Sequence, residues 1–97
     1  MRVIAKRTLR EFWENHADAE VALRIWHQEA QRVSWNNFNE LRRQYGSADY
    51  VGNDRVVFNI RGNRYRLIVK IDYNFQVMFI RFIGTHAEYD KIDATTI

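Results

Sequence analysis

The sequence predicts an α+β fold, with an antiparallel sheet of about four strands and helices packed on one of its faces. Two patterns support this prediction. Apolar residues recur at helical spacing over roughly residues 6–45, and they recur at every second position from residue 55 onward. Proline is absent, the glycines lie at candidate turns, and the chain has 97 residues. We therefore expect residues 1–97 to form a single domain.

The first half of the chain predicts a short strand followed by helices. Residues 2–5 are apolar and β-branched at their centre, as in a strand. A second helix is expected to open at Asp18 and to continue to residue 33. A short third helix should cover about residues 38–45, with Gly46 as its left-handed cap. The first helix shows its apolar stripe at Leu9, Phe12 and Trp13.

The second half predicts three strands and a short terminal helix. Residues 55–60 and the stretch from Tyr65 alternate apolar and polar side chains, and the turn at 61–63 makes them a hairpin. A turn at 73–75 leads into the last strand. Gly84 is expected to permit a tight turn out of that strand, and the segment after it has the pattern of a capping box, Thr85 with Glu88.

Composition excludes several classes of protein. There is no cysteine, so a disulfide framework and a thiolate metal site are both impossible. The beginning of the sequence lacks the apolar core of a signal peptide. No apolar run approaches the roughly 20 residues that span a bilayer. We therefore expect a cytoplasmic protein that does not associate with a membrane.

Positive charge is concentrated on one face of the predicted sheet. The net charge is only +3, but residues 55–81 contain many cations and one interior acid, Asp72. Side chains alternate along a strand, so these cations are expected on the face turned away from the helices. A solvated face normally mixes charge signs, so this one predicts a bound polyanion such as an RNA backbone. The cations predicted to bind RNA from the sheet are Arg55, Arg64, Arg66 and Lys70.

Arg81 lies in the otherwise apolar last strand. Simple alternation places it on the same strand face as Phe79 and Ile83. Such surroundings are costly for an arginine without a role. We therefore expect Arg81 to contribute positive charge to a catalytic site.

Four side chains able to transfer protons or stabilise charge follow the last strand. In a helix, four residues would lie on one side, at i, i+3, i+4 and i+7: His86, Tyr89, Asp90 and Asp93. His86 could act as general acid or base, with Asp90 orienting it or acting as base, and Tyr89 could donate a hydrogen bond or stack on a base. Lys91 could reach a phosphate only if the segment bends. The same spacing also fits a surface helix with a stabilising His–Asp pair.

No metal or cofactor is predicted. His16 and His27 lie in helical segments, and no set of His, Asp and Glu has a ligand spacing. A ribonuclease that uses the RNA 2′-hydroxyl as nucleophile needs only proton transfer and cations around the transition state.

The whole chain resembles the HigB-type toxins of bacterial type II toxin–antitoxin modules, within the RelE-like mRNA interferases. The resemblance is carried by MRVIAKRTLREFWENHADAE, LRRQYGSADYVGNDRVVFNI and the stretch over residues 58–93, in which GNRYRL and IRFIGTHAEYDKI are the most specific segments. It implies a RelE-like fold and ribosome-dependent cleavage of mRNA in the A site. Within this group, the segment THAEYDK points to His86, Tyr89 and Asp90.

The resemblance also implies partners. A HigA-like helix-turn-helix antitoxin would neutralise the toxin, and operator DNA would be contacted only through that antitoxin. Two other functions fit the residues: a non-catalytic module that binds RNA or the ribosome through the same basic face, and a protein-interaction domain. The last would expose an apolar patch instead of an arginine-rich one.

Overall fold

The computed structural model describes all 97 residues and confirms the α+β class and the short C-terminal helix. The elements are, in order, β1 (Arg2–Ile4), α1 (Lys6–Asn15), a 3-10 turn (Ala17–Ala19), α2 (Glu20–Arg32), α3 (Phe38–Gln44), β2 (Asp49–Gly52), β3 (Arg55–Ile60), β4 (Tyr65–Asp72), β5 (Val77–Thr85) and α4 (His86–Tyr89).

The sheet has five strands in the order β1-β5-β4-β3-β2, not the four antiparallel strands expected. β2 was missed because its four residues are too few for an alternation to show. β1 pairs parallel with β5, from Arg2 with Val77 to Ile4 with Phe79. This pairing joins segments far apart in the sequence, and no local pattern reports it.

The helices pack on one face of the sheet, as predicted. Phe58 is at the centre of this core, where the rings of Trp26 and Tyr45 meet it edge to face at 5.3 and 5.2 Å. Such pairs stabilise a small core beyond the area that they bury. The alternating side chains of β3 and β4 are all buried in this core: Val56, Phe58, Ile60, Tyr65, Leu67, Val69 and Ile71.

A β-bulge at Arg81 interrupts the alternation in β5. The register between β4 and β5 shifts there, leaving Arg81 without a partner between Ile80 and Phe82. Ile83 therefore faces the core, unlike Phe79. The prediction that these two residues share a face is wrong, and so is the prediction of apolar surroundings for Arg81, which is exposed.

The other face of the sheet is covered at its centre. Val57 and Ile68 are only 5% and 0% exposed, yet they lie outside the core beneath the helices. Hydrogen bonds from Asn53 and Arg55 place residues 95–97 over this face. We call residues 93–97 the C-terminal strap. The expectation of a fully open basic face is wrong, because the strap lies on it.

Candidate functional site

The capping box positions α4 at the end of β5, as predicted. Thr85 Oγ1 accepts a hydrogen bond from the Glu88 N–H at 3.2 Å, and Glu88 Oε1 accepts one from the Thr85 N–H at 2.8 Å. The bond from the Thr85 N–H is also the main reason that the pKa of Glu88 lies below its usual value. This box starts the helix at His86.

Gly84 serves a different purpose from the predicted turn. It lies within β5 and is buried. An added Cβ would come within 2.5 Å of Phe82 Cζ and 3.2 Å of Glu88 Oε1. Glycine is therefore required for space beside the capping box, not for backbone freedom.

His86 lies between the carboxylate of Asp90 and the guanidinium of Arg66. Its Nε2 is 3.4 Å from Asp90 Oδ1, one helical turn away, and its Nδ1 is 3.5 Å from Arg66 Nη2. Since a guanidinium only donates, Nδ1 can act only as the acceptor towards Arg66, and Nε2 is the ring nitrogen that faces Asp90. The His86 and Asp90 side chains are 55% and 64% exposed, so a substrate can reach them. The ring of Tyr89 is 6.5 Å from that of His86, centroid to centroid.

Arg66 reaches His86 because of the strand register. It pairs with Gly84, two residues before His86. Its Nη1 also donates to the Asn63 carbonyl oxygen at 3.0 Å, which helps to hold the guanidinium at this end of β4. Alternation placed Arg66 on the correct face, but only the pairing of β4 with β5 placed it at the imidazole.

Arg55 and Arg81 converge on one oxygen of the strap. The Ile97 main-chain oxygen accepts from Arg55 Nη2 at 2.8 Å, and from the Nε atoms of Arg55 and Arg81 at 3.2 Å each. Arg55 is 7% exposed, whereas Arg81 is exposed. These two predicted site residues are brought together at the strap, where Arg55 is buried and Arg81 stays open to solvent.

Lys70 lies in a separate polar cavity on the same face. The cavity has a volume of about 550 Å³, and Asp54 and Tyr73 are among its lining residues. The Tyr73 hydroxyl is buried without a hydrogen-bond partner, and burial is the main reason that its pKa is raised. Lys70 itself is exposed and remains available to an anion.

Arg64 is turned away from the other site cations. It lies in the hairpin turn, and its Nε is 3.2 Å from Oδ2 of Asp18, in the 3-10 turn between α1 and α2. Tyr65 and Arg61 contact the same carboxylate, and the Tyr65 hydroxyl is the first cause of its lowered pKa. Alternation placed Arg64 on the basic face, but the chain is already turning at that position.

Lys91 follows α4 and is exposed. Its charge is near Glu88, whose pKa it helps to lower. Asp93, beyond it, accepts hydrogen bonds from Thr95 and shapes the strap, so it does not extend the His86 side of the helix.

Two structural features bear on other functions. No three His, Asp or Glu side chains are grouped closely enough to hold a metal ion. No helix is both long and apolar enough to cross a bilayer.

Comparison with known proteins identifies the family. The HigB toxin family, described as the RelE-like toxic component of a toxin–antitoxin system, matches residues 19–92. A curated relative from Escherichia coli O6:H1, named mRNA interferase HigB, is 26% identical over 94 residues, which is 95% of this chain and 91% of the relative. The matched range contains β2 to β5 and the whole of α4. It therefore covers Arg66 on β4, His86 at the start of α4 and Asp90 just after it. The chain belongs to the HigB toxin family, the RelE-like toxic components of toxin–antitoxin systems.

Proposed function

We propose that this toxin is an mRNA endonuclease that cleaves messages on the ribosome, in the A site. The observation that carries the proposal is the position of His86, held by its neighbours Arg66 and Asp90 beside a face that presents further cations. The name of the E. coli relative, mRNA interferase, supports the same activity.

The proposed chemistry uses the 2′-hydroxyl of the RNA as nucleophile. A base removes its proton, the oxygen attacks the adjacent phosphorus, and an acid protonates the departing 5′-oxygen. His86 performs one of these proton transfers, and Asp90 orients the ring through Nε2. Arg66, close to the imidazole, stabilises the charge that develops on the phosphoryl oxygens. Tyr89, three residues after His86 on the same side of α4, donates a hydrogen bond from its hydroxyl or stacks on a base of the RNA. The reaction as written requires neither metal nor cofactor.

The remaining cations would hold the message. Lys70 and Lys91 are exposed and Arg81 is exposed at the bulge, so each can reach a phosphate. Arg55 would contribute where the strap leaves room. Arg64 keeps 63% of its side chain exposed despite its contact with Asp18, and it would touch RNA only at the outer end of the hairpin.

The proposal includes the biological setting. Residues 1–97 would act as one domain in the cytoplasm, where translated messages are found. A HigA-like helix-turn-helix antitoxin would bind and neutralise it, and the complex would contact operator DNA through the antitoxin.

Induced expression in a bacterium tests the proposal, with wild type beside His86→Gln. Growth arrest, accompanied by cuts in phase with codons on a translated message, is expected for wild type and not for the variant. His16→Gln is the matched control: this histidine stacks on Phe12 at 4.1 Å and takes no part in the proposed chemistry.

Three results would contradict the proposal. Full toxicity of folded His86→Gln would remove His86 from the chemistry. Arrest by wild type without any cuts would favour the non-catalytic ribosome-binding module. If Arg66→Ala and Arg81→Ala both leave the salt dependence of ribosome binding unchanged, the basic face does not contact phosphate.

A further inference from the structure

The strap lies where the proposed RNA backbone would lie. Arg55 is on β3 and Arg81 is on β5, with β4 between them. An oxygen that accepts hydrogen bonds from both arginines therefore bridges side chains of the two strands that flank β4, the middle strand of the sheet. The Ile97 oxygen does so through three N–H groups, at 2.8, 3.2 and 3.2 Å.

Neither arginine has an acidic side-chain partner. No Asp or Glu oxygen lies within 4.0 Å of their charged nitrogens, although five other pairs in the chain meet this distance. The oxygens that accept hydrogen bonds from them belong to the main chain. Both arginines donate to Ile97 O, and Arg55 also donates to Asn53 O. The two guanidinium groups therefore converge on a single oxygen, and a phosphate oxygen can accept from the same three N–H groups.

The strap is attached at a few points. The Asn53 side-chain amide donates to the Thr95 carbonyl oxygen at 2.9 Å. Within the strap, Asp93 Oδ1 accepts from the Thr95 N–H at 2.9 Å and fixes its shape. Val57 and Ile68, on the same face, are buried outside the helix-side core. The hydrogen bonds between the strap and the rest of the chain come from three side chains, those of Asn53, Arg55 and Arg81.

We propose that residues 93–97 are an autoinhibitory strap: the Ile97 oxygen occupies a phosphate site made by Arg55 and Arg81, and RNA must displace it. The inference rests on the proposed function, because it names how RNA reaches that same face. A strap that is docked nine times in ten would weaken the apparent affinity for RNA about tenfold.

Two variants weaken the docked strap in different ways, one by removing an attachment and the other by removing a bond that fixes its shape. Asn53→Gly removes the amide that holds Thr95, and glycine tolerates the φ of 53° found there. Asp93→Ala removes the acceptor that shapes the strap. Asp93→Asn is the matched control, since it loses the same charge but keeps an oxygen that can accept from Thr95.

The measurement is binding of a short fluorescent single-stranded RNA at several salt concentrations, in a His86→Gln background that cannot consume the probe. Asn53→Gly and Asp93→Ala are expected to bind about tenfold more tightly than the parent. Their plot of log Kd against log salt should steepen by about 0.7 for each additional phosphate that the released face neutralises. Arg55→Gln added to Asp93→Ala should abolish this tighter binding.

Other outcomes would overturn the inference. Folded release variants that bind no more tightly than the parent, or that bind no RNA at all, exclude competition by the strap. If Asp93→Asn binds RNA as tightly as Asp93→Ala, the tighter binding comes from loss of the Asp93 charge and not from release of the strap. Growth arrest by the unmodified toxin is measured in a separate experiment. A negative result in the RNA-binding experiment therefore contradicts only the strap, whereas absence of growth arrest by the unmodified toxin contradicts the proposed nuclease.

Discussion

Replacing Thr85 with valine is expected to slow RNA cleavage by up to about fivefold and to leave global stability almost unchanged. Valine keeps the branched shape but removes the oxygen that accepts from the Glu88 N–H. Loss of such a cap costs about 1 kcal/mol. α4 has four residues and buries none of them, so a single isolated turn depends on its cap. A change of about 1 kcal/mol lowers the ratio of ordered to disordered turn about fivefold. The ordered fraction, in which alone His86 is placed correctly, falls by at most that factor.

The assay pairs single-turnover cleavage of a translated message with amide hydrogen exchange over residues 86–90. Exchange should accelerate there, while the free energy of unfolding in urea changes by less than about 0.5 kcal/mol, since the turn opens locally. Thr85→Ser is the control, because its hydroxyl restores the cap. Wild-type cleavage and exchange in Thr85→Val would refute the reasoning, as would an equal loss in Thr85→Ser.

Three further outcomes are expected. Gly84→Ala should destabilise the fold by about 1–3 kcal/mol in urea unfolding, because its Cβ meets the Phe82 ring, and Phe82→Leu should recover part of the loss; full stability of the single variant would contradict this packing. Burial lowers the pKa of His27, so the unfolded chain binds the proton more readily, and stability should fall as pH drops below 6.5; His27→Gln should flatten this slope, and an unchanged slope would exclude His27 as its source. The pKa of Asp18 is lowered mainly by the Tyr65 hydroxyl, so its contribution is present above pH 3.8 and is lost as pH falls through the lowered pKa; Asp18→Asn should reduce the urea midpoint at neutral pH but not in strong acid, and a difference that persists in acid would refute the charge argument.

Local patterns in the sequence determined much of the architecture. The apolar alternation of β3 and β4 predicted which side chains lie under the helices, since a half-covered sheet buries every second residue. The Thr85–Glu88 pattern predicted a helix capped by Thr85, because capping is decided by neighbours within one turn. The i, i+4 spacing likewise predicted the contact between His86 and Asp90.

Tertiary structure decided the rest. The bulge at Arg81, the Arg66–His86 contact and the placement of the strap over Arg55 all depend on which strands pair and in what register. Those choices are made by contacts between residues 16 to 42 positions apart in the chain. A period of two residues reports the face on which a side chain lies, but not its partner across the sheet, so the sequence predicted a basic face and only the fold showed what lies on it.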